Sequence, residues 1–184
     1  PVVLALPEDM LTDTAAAIDR TRVERPVQPA DPALVEDAVG RIRAARNPVA
    51  IVGGAGWTAE TGRQFADFAE RIGLPVACAF RRQDAVANDA PTYAGNLGYG
   101  PSPKLVARVK NADLILAVGA RLGEATTDGY ELITPEHPGQ TLIHVHPDPN
   151  ELQRVYRADL ALCAGVEEFA TVAAALVADA TPSP

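Results

Sequence analysis

The chain has 184 residues, 47% of them hydrophobic and 22% charged, and a mean hydropathy of zero, a balance that buries one core of ordinary size and fits neither a fibrous nor a disordered protein. Asp and Glu number 24 against 16 Lys and Arg, so the net charge of −8 opposes the counterion release on which nucleic-acid binding depends, and no nucleic-acid partner is expected. No apolar run approaches the ~20 residues that cross a bilayer, and the opening residues lack the basic stretch of a signal peptide, so a cytoplasmic protein without membrane contact is expected.

Along the chain, residues 1–7 read as a strand arriving from elsewhere, and residues 10–30 hold no apolar period while Arg20, Arg22, Arg25, Pro26 and Pro29 accumulate, a connecting composition. The expected division is an incoming strand and linker over 1–30, a domain over 31–180 and an outgoing linker over 181–184, with both ends reading as cut from a longer chain. Asp31-Pro32 supplies an N-cap and first-turn proline for a helix carrying Leu34, Val35, Ala38, Val39 and Ile42 to about residue 46. A buried strand over 49–52 follows and ends in Gly53-Gly54-Ala55-Gly56. A second helix over 58–72 shows Phe65, Phe68, Ala69 and Ile72 on one face and Gly73 at its left-handed stop. A strand is expected over 76–80, then a long Asp/Asn/Pro/Gly loop to Gly100. Ser102-Pro103 opens a third helix with Leu105, Val106 and Val109 inward; strands over 113–118, 141–145 and 160–163 follow, and a helix over 166–177 closes the chain.

Strands alternating with helices and lacking hairpin turns imply an α/β fold with parallel pairing and right-handed crossovers, a doubly wound, Rossmann-like sheet. Ligands in such sheets bind outside the carboxyl ends of strands. Gly54-Ala-Gly56-Trp-Thr-Ala59 is a GxGxxA string after a strand, where backbone N–H groups approach a diphosphate; the acidic residue that should follow the second strand is replaced by Phe80-Arg81-Arg82. Two readings stand: nucleotide binding at Gly53, Gly54 and Gly56, or glycines that serve only a tight turn. Arg81 and Arg82 form either a phosphate clamp or a loop pairing its own charges with Asp84. Gly119 and Arg121 offer either a ligand contact or an Arg121–Glu124 bridge. His144 and His146 share one strand face, as a metal pair or as core and strand-end residues, and Asp148 between prolines reads as a turn residue. Cys78 and Cys163 sit in apolar runs without zinc spacing and read as buried free thiols.

The order of the segments resembles a known family. Asn47-Pro-Val-Ala-Ile-Val-Gly-Gly-Ala-Gly56, Ala69-Glu-Arg-Ile-Gly-Leu-Pro-Val76, Pro91-Thr-Tyr-Ala-Gly-Asn-Leu-Gly98, Ala112-Asp-Leu-Ile-Leu-Ala-Val-Gly-Ala-Arg-Leu122 and His144-Val-His-Pro-Asp-Pro-Asn-Glu-Leu152 are similar, in this order, to the central domain of thiamine-diphosphate enzymes of the acetolactate synthase type. That resemblance implies a six-stranded parallel sheet of the DHS-like NAD/FAD-binding type, with FAD, ADP or nothing in a groove along Gly53, Gly54, Gly56, Arg81, Gly119 and Arg121. It also implies a parent enzyme acting on 2-keto acids with thiamine diphosphate and Mg2+, held by pyrimidine-binding and diphosphate-binding domains of the same chain, in a homo-oligomer. None of that chemistry is expected of residues here. His146 stands where FAD-binding members carry an acidic residue, and Ala164-Gly165 where they carry Gly-Asp; both departures argue against FAD. Beside a non-catalytic middle domain, a stand-alone nucleotide-binding module and an NAD-dependent enzyme of related fold remain as readings, the last resting on His146 alone.

Overall fold

A computed structural model describes residues 3–24, 26–135 and 139–179. Pro1, Val2 and Arg25 and the outgoing linker 181–184 lie outside the described residues. Residues 3–24 and 26–29 are exposed and irregular apart from one 3-10 turn at Glu8–Thr12, so residues 3–6 of the expected incoming strand form no strand; Ala30 is buried against the core.

Six strands, β1 (Pro48–Val52), β2 (Val76–Cys78), β3 (Tyr93–Asn96), β4 (Leu114–Val118), β5 (Thr141–His146) and β6 (Leu160–Cys163), build one sheet in the order β3-β2-β1-β4-β5-β6. Every pairing is parallel. The helices are α1 (Pro32–Ala44), α2 (Ala59–Arg71), α3 (Pro103–Lys110) and α4 (Val166–Leu176). The expected doubly wound architecture is therefore present. Its sixth strand, β3, lies inside the segment expected as loop, because Tyr-Ala-Gly-Asn carries no run of β-branched residues and its side chains are only half buried at the sheet edge.

Both faces of the sheet are covered, which is why the central strands read as continuous apolar runs rather than alternating ones. On one face Ala50, Val52, Leu116, Val118, Ile143 and Val145 meet α1, α2 and α4, whose Phe65, Phe68 and Phe169 are fully buried. On the other, Val49, Ile51, Ile115, Ala117 and Leu142 meet α3 and the irregular segments around Leu132 and Tyr156. Two caps set the local geometry. Asp31 accepts the Ala33 N–H at 2.9 Å at the start of α1, and Thr58 accepts the Thr61 N–H at 3.1 Å at the start of α2.

Asp113, immediately before β4, aligns the two central strands. Its carboxylate accepts the backbone N–H groups of Arg46 (2.7 Å) and Asn47 (2.8 Å), which lead into β1, and these donors hold its pKa below the ordinary carboxylate value. Cys78 is buried, and burial pushes its thiol pKa up; Cys163 is exposed, against expectation, because it ends β6 as the chain turns toward α4.

Truncating Phe169 to Ala should lower the unfolding free energy by about 3–5 kcal/mol, whereas Leu176→Ala, at a 40% exposed position near the end of the same helix, should cost well under half of that. Urea denaturation of the two variants measures both.

Candidate functional site at the carboxyl ends of the central strands

The strand order reverses between β1 and β4, so the topological switch point lies where Gly53-Gly54 and Gly119-Ala120 leave the sheet. Here the two loops touch backbone to backbone. A Cβ on Gly54 would sit 1.9 Å from the Gly119 carbonyl oxygen, and one on Gly119 would sit 2.5 Å from the Gly53 carbonyl oxygen; both residues also have positive φ, at 71° and 69°. Neither position has room for a side chain. The remainder of the turn is tied to itself: the Trp57 indole N–H donates to the Gly53 carbonyl at 2.7 Å, and Gly56 turns the chain at φ 95° toward the Thr58 cap. Gly53, Gly54 and Gly119 thus have a packing role and Gly56 a turning role of their own.

Beside this contact lies a cleft of about 440 Å3, bounded by Gly54, Phe80, Arg81, Ala120, Arg121 and Thr126. Arg81, at φ 61°, is held in the left-handed region, and its guanidinium lies over the Phe80 ring at 5.1 Å. Phe80 meets Tyr99 edge-on at 5.1 Å, and its backbone N–H donates to the Thr126 hydroxyl at 3.3 Å. Arg82 borders the same cleft as Arg81 but is paired locally. It bonds Asp84 at 3.0 Å, and that contact lowers the Asp84 pKa.

Of the two readings of Arg121, the bridge to Glu124 is not formed: the Arg121 Nε lies 3.8 Å from Glu151 Oε1, which also takes Arg154 at 2.5 Å. Glu151 is nearly buried, with a side chain 9% exposed, while that of Arg121 is 70% exposed. The pairing escapes a local reading because Glu151 arrives from the turn after β5, 30 positions along the chain. No group of His, Cys, Asp and Glu able to hold a metal occurs among the described residues. His144 and His146 do share a face, with ring centroids 6.0 Å apart, and each is engaged separately. His144 is buried and its Nε2–H donates to the Ala120 carbonyl at 2.8 Å; His146 Nδ1 accepts the Asp148 N–H at 3.1 Å. Asp148 is a turn residue, its carboxylate accepting both the backbone and side-chain N–H of Asn150 at 2.9 Å.

At the end of β6 the residues depart most from a diphosphate site. The Gly165 N–H, at the N-terminus of α4, donates to the Gln28 carbonyl at 2.8 Å, and the first turn carries Glu167 and Glu168. A diphosphate there would face two carboxylates and a donor already taken by the incoming segment, so the residues do not fit one. The crevice at Arg81 and Arg121 fits an anionic group better, though Arg121 would share it with Glu151.

Residues 35–174 match the family described as thiamine pyrophosphate enzyme, central domain. The chain belongs to this family. It is 32% identical over 155 residues to a 3D-(3,5/4)-trihydroxycyclohexane-1,2-dione hydrolase of Lacticaseibacillus casei, covering 79% of this chain and 23% of that protein. It is 28% identical over 166 residues to the acetolactate synthase isozyme 3 large subunit of Escherichia coli K12, covering 87% of this chain and 28% of the relative. Benzoylformate decarboxylase from Polynucleobacter necessarius superposes with a TM-score of 0.63 at 25% identity, over 91% of this chain and 31% of that one. The chain therefore spans roughly a quarter of the length of the curated relatives it matches. Among the described residues no helix is long and apolar enough to cross a membrane.

Two outcomes test this geometry. Gly54→Ala should destabilise the domain by about 2 kcal/mol or more, since the methyl group meets a carbonyl and the residue sits at positive φ; thermal unfolding measures it. Burial is the largest cause lowering the His144 pKa below 6.5, so the unfolded chain takes up this proton first; the stability His144 confers is present above about pH 6.5 and is lost as pH falls toward its folded value. The difference in melting temperature between the protein and His144→Gln should accordingly shrink on acidification.

Proposed function

We propose that this domain is a non-catalytic scaffold of a larger thiamine-diphosphate enzyme acting on 2-keto acids, spanning residues 31–180 and presenting surfaces to the pyrimidine-binding and diphosphate-binding domains of the same chain in a homo-oligomeric, cytoplasmic parent. Thiamine diphosphate and Mg2+ would be held by those other domains. When bound, thiamine diphosphate supplies the electron sink for the parent reaction. The contribution of this chain is position: a sheet covered on both faces that fixes where its loops and its incoming segment lie. The observation that supports the reading is the reciprocal Gly54–Gly119 contact, which gives these two glycines a packing role of their own. The names of the relatives, an acetolactate synthase and a hydrolase among them, fit a domain that sets architecture while the reaction varies.

One observation favours a second reading, in which FAD or ADP occupies the cleft: Arg81 and Arg121 both border a space of about 440 Å3 at the strand ends. Titration calorimetry with FAD, ADP and magnesium thiamine diphosphate separates the two, alongside an assay of pyruvate turnover by the chain alone. The scaffold reading predicts no turnover and no affinity tighter than about 1 mM for any of the three. Micromolar binding of FAD or ADP that is lost in Arg121→Gln would establish the cleft as a nucleotide site; turnover of pyruvate would overturn the non-catalytic role.

A further inference from the structure

A second cleft, of about 520 Å3, opens at the opposite ends of the strands, where β2 and β3 begin. Its walls come from both sides of the sheet edge: Glu70 near the end of α2 on one side, Lys104, Leu105 and Arg108 of α3 on the other, with Pro75 and Tyr93 between them. Lys104 and Arg108 are four residues apart on α3 and so project from one face, a single turn apart. Among the described residues neither has a carboxylate within ion-pair distance, in a chain whose acidic residues outnumber its basic ones by 24 to 16. Glu70 is also without an ion pair there, so the cleft holds two cations against one anion.

The cleft lies beside the open edge of β3, but that edge is poorly formed for adding a strand. The β2–β3 register shifts between Val76 and Ala77, and Gly95 has φ 118°, features that twist an edge away from further pairing. A compact ligand suits this geometry better than an extended peptide. The volume falls within the range of small-molecule sites, and a lining that mixes apolar groups with a few charges is what such sites use to orient a ligand.

We propose that this cleft binds a compact organic anion of metabolite size, its carboxylate or phosphate group held between Lys104 and Arg108 and its apolar body lying on Pro75, Tyr93 and Leu105. Glu70 on the facing wall accepts a hydrogen bond from a hydroxyl or ammonium group of the ligand and repels a second anionic end. The site shares no residue with the crevice at Arg81 and Arg121 and stands whether or not that crevice takes a nucleotide.

The test is an amide chemical-shift titration of the chain with phenyl phosphate, benzoate and, as the uncharged control, benzyl alcohol. One of the two anions should shift the Tyr93, Lys104 and Leu105 amides saturably while the alcohol does not, and which anion does so separates phosphate from carboxylate ligands. Lys104→Gln and Arg108→Gln should each weaken binding by about tenfold, both positions being exposed and harmless to the fold. Glu70→Gln should tighten it, and Arg121→Gln should leave it unchanged. Absence of a saturable shift with either anion up to about 10 mM, equal shifts with the alcohol, or shifts that survive the double Lys104/Arg108 variant would overturn the proposal.

Discussion

The close approach of two backbones at the switch point governs much of this structure. With Gly54 against the Gly119 carbonyl and Gly119 against that of Gly53, the loops leaving β1 and β4 lie together with no side chain between them. Gly53 is nearly as restricted, since a Cβ there would stand 2.6 Å and 3.4 Å from the methyl groups of Ala79 after β2 and Ala120 after β4. Small residues at all these strand ends let the loops fold down over the sheet. Arg81, Arg82 and Arg121, which follow, are thereby carried to the border of one cleft.

Electrostatics then assigns those arginines unequally. Arg82 is used locally by Asp84, and Arg121 is drawn toward a Glu151 that is itself nearly buried and doubly paired. An exposed ion pair contributes little, but a carboxylate with one tenth of its surface in water needs its cations, and removing either leaves it poorly compensated. A ligand recruiting Arg121 therefore competes with an internal carboxylate. Arg81 is different: it rests on an aromatic face, and no carboxylate lies within ion-pair distance among the described residues. At α4 the opposition is stronger still, where Glu167 and Glu168 occupy the end of the helix an anion would seek and Gln28 takes the Gly165 donor.

Much of the fold is legible in the residues because the helices carry their own punctuation. Asp31-Pro32 and Thr58 mark starts that the structure places at Pro32 and Ala59, and Gly73, at φ 67°, stands just beyond α2. The central strands announce themselves as apolar runs because helices and loops bury both of their faces. β3 does not, since an edge strand of Tyr, Ala, Gly and Asn owes its conformation to pairing with β2 rather than to its own composition. At the site, the glycines were visible but their reason was not: a GxGxxA string has the same form whether the partner is a diphosphate or the neighbouring loop. The Arg121–Glu151 pairing and the Gln28–Gly165 bond join distant segments and leave no trace in local spacing.

At the start of α4 the protein occupies the strand-end surface with its own groups, and amide hydrogen exchange at Gly165 reports on this most directly. If the Gln28 carbonyl holds this N–H, exchange at Gly165 should be slow and should not change when FAD or ADP is added in excess. An amide that exchanges freely alone and becomes protected only with nucleotide would show that this position waits for a ligand, and would contradict the scaffold role.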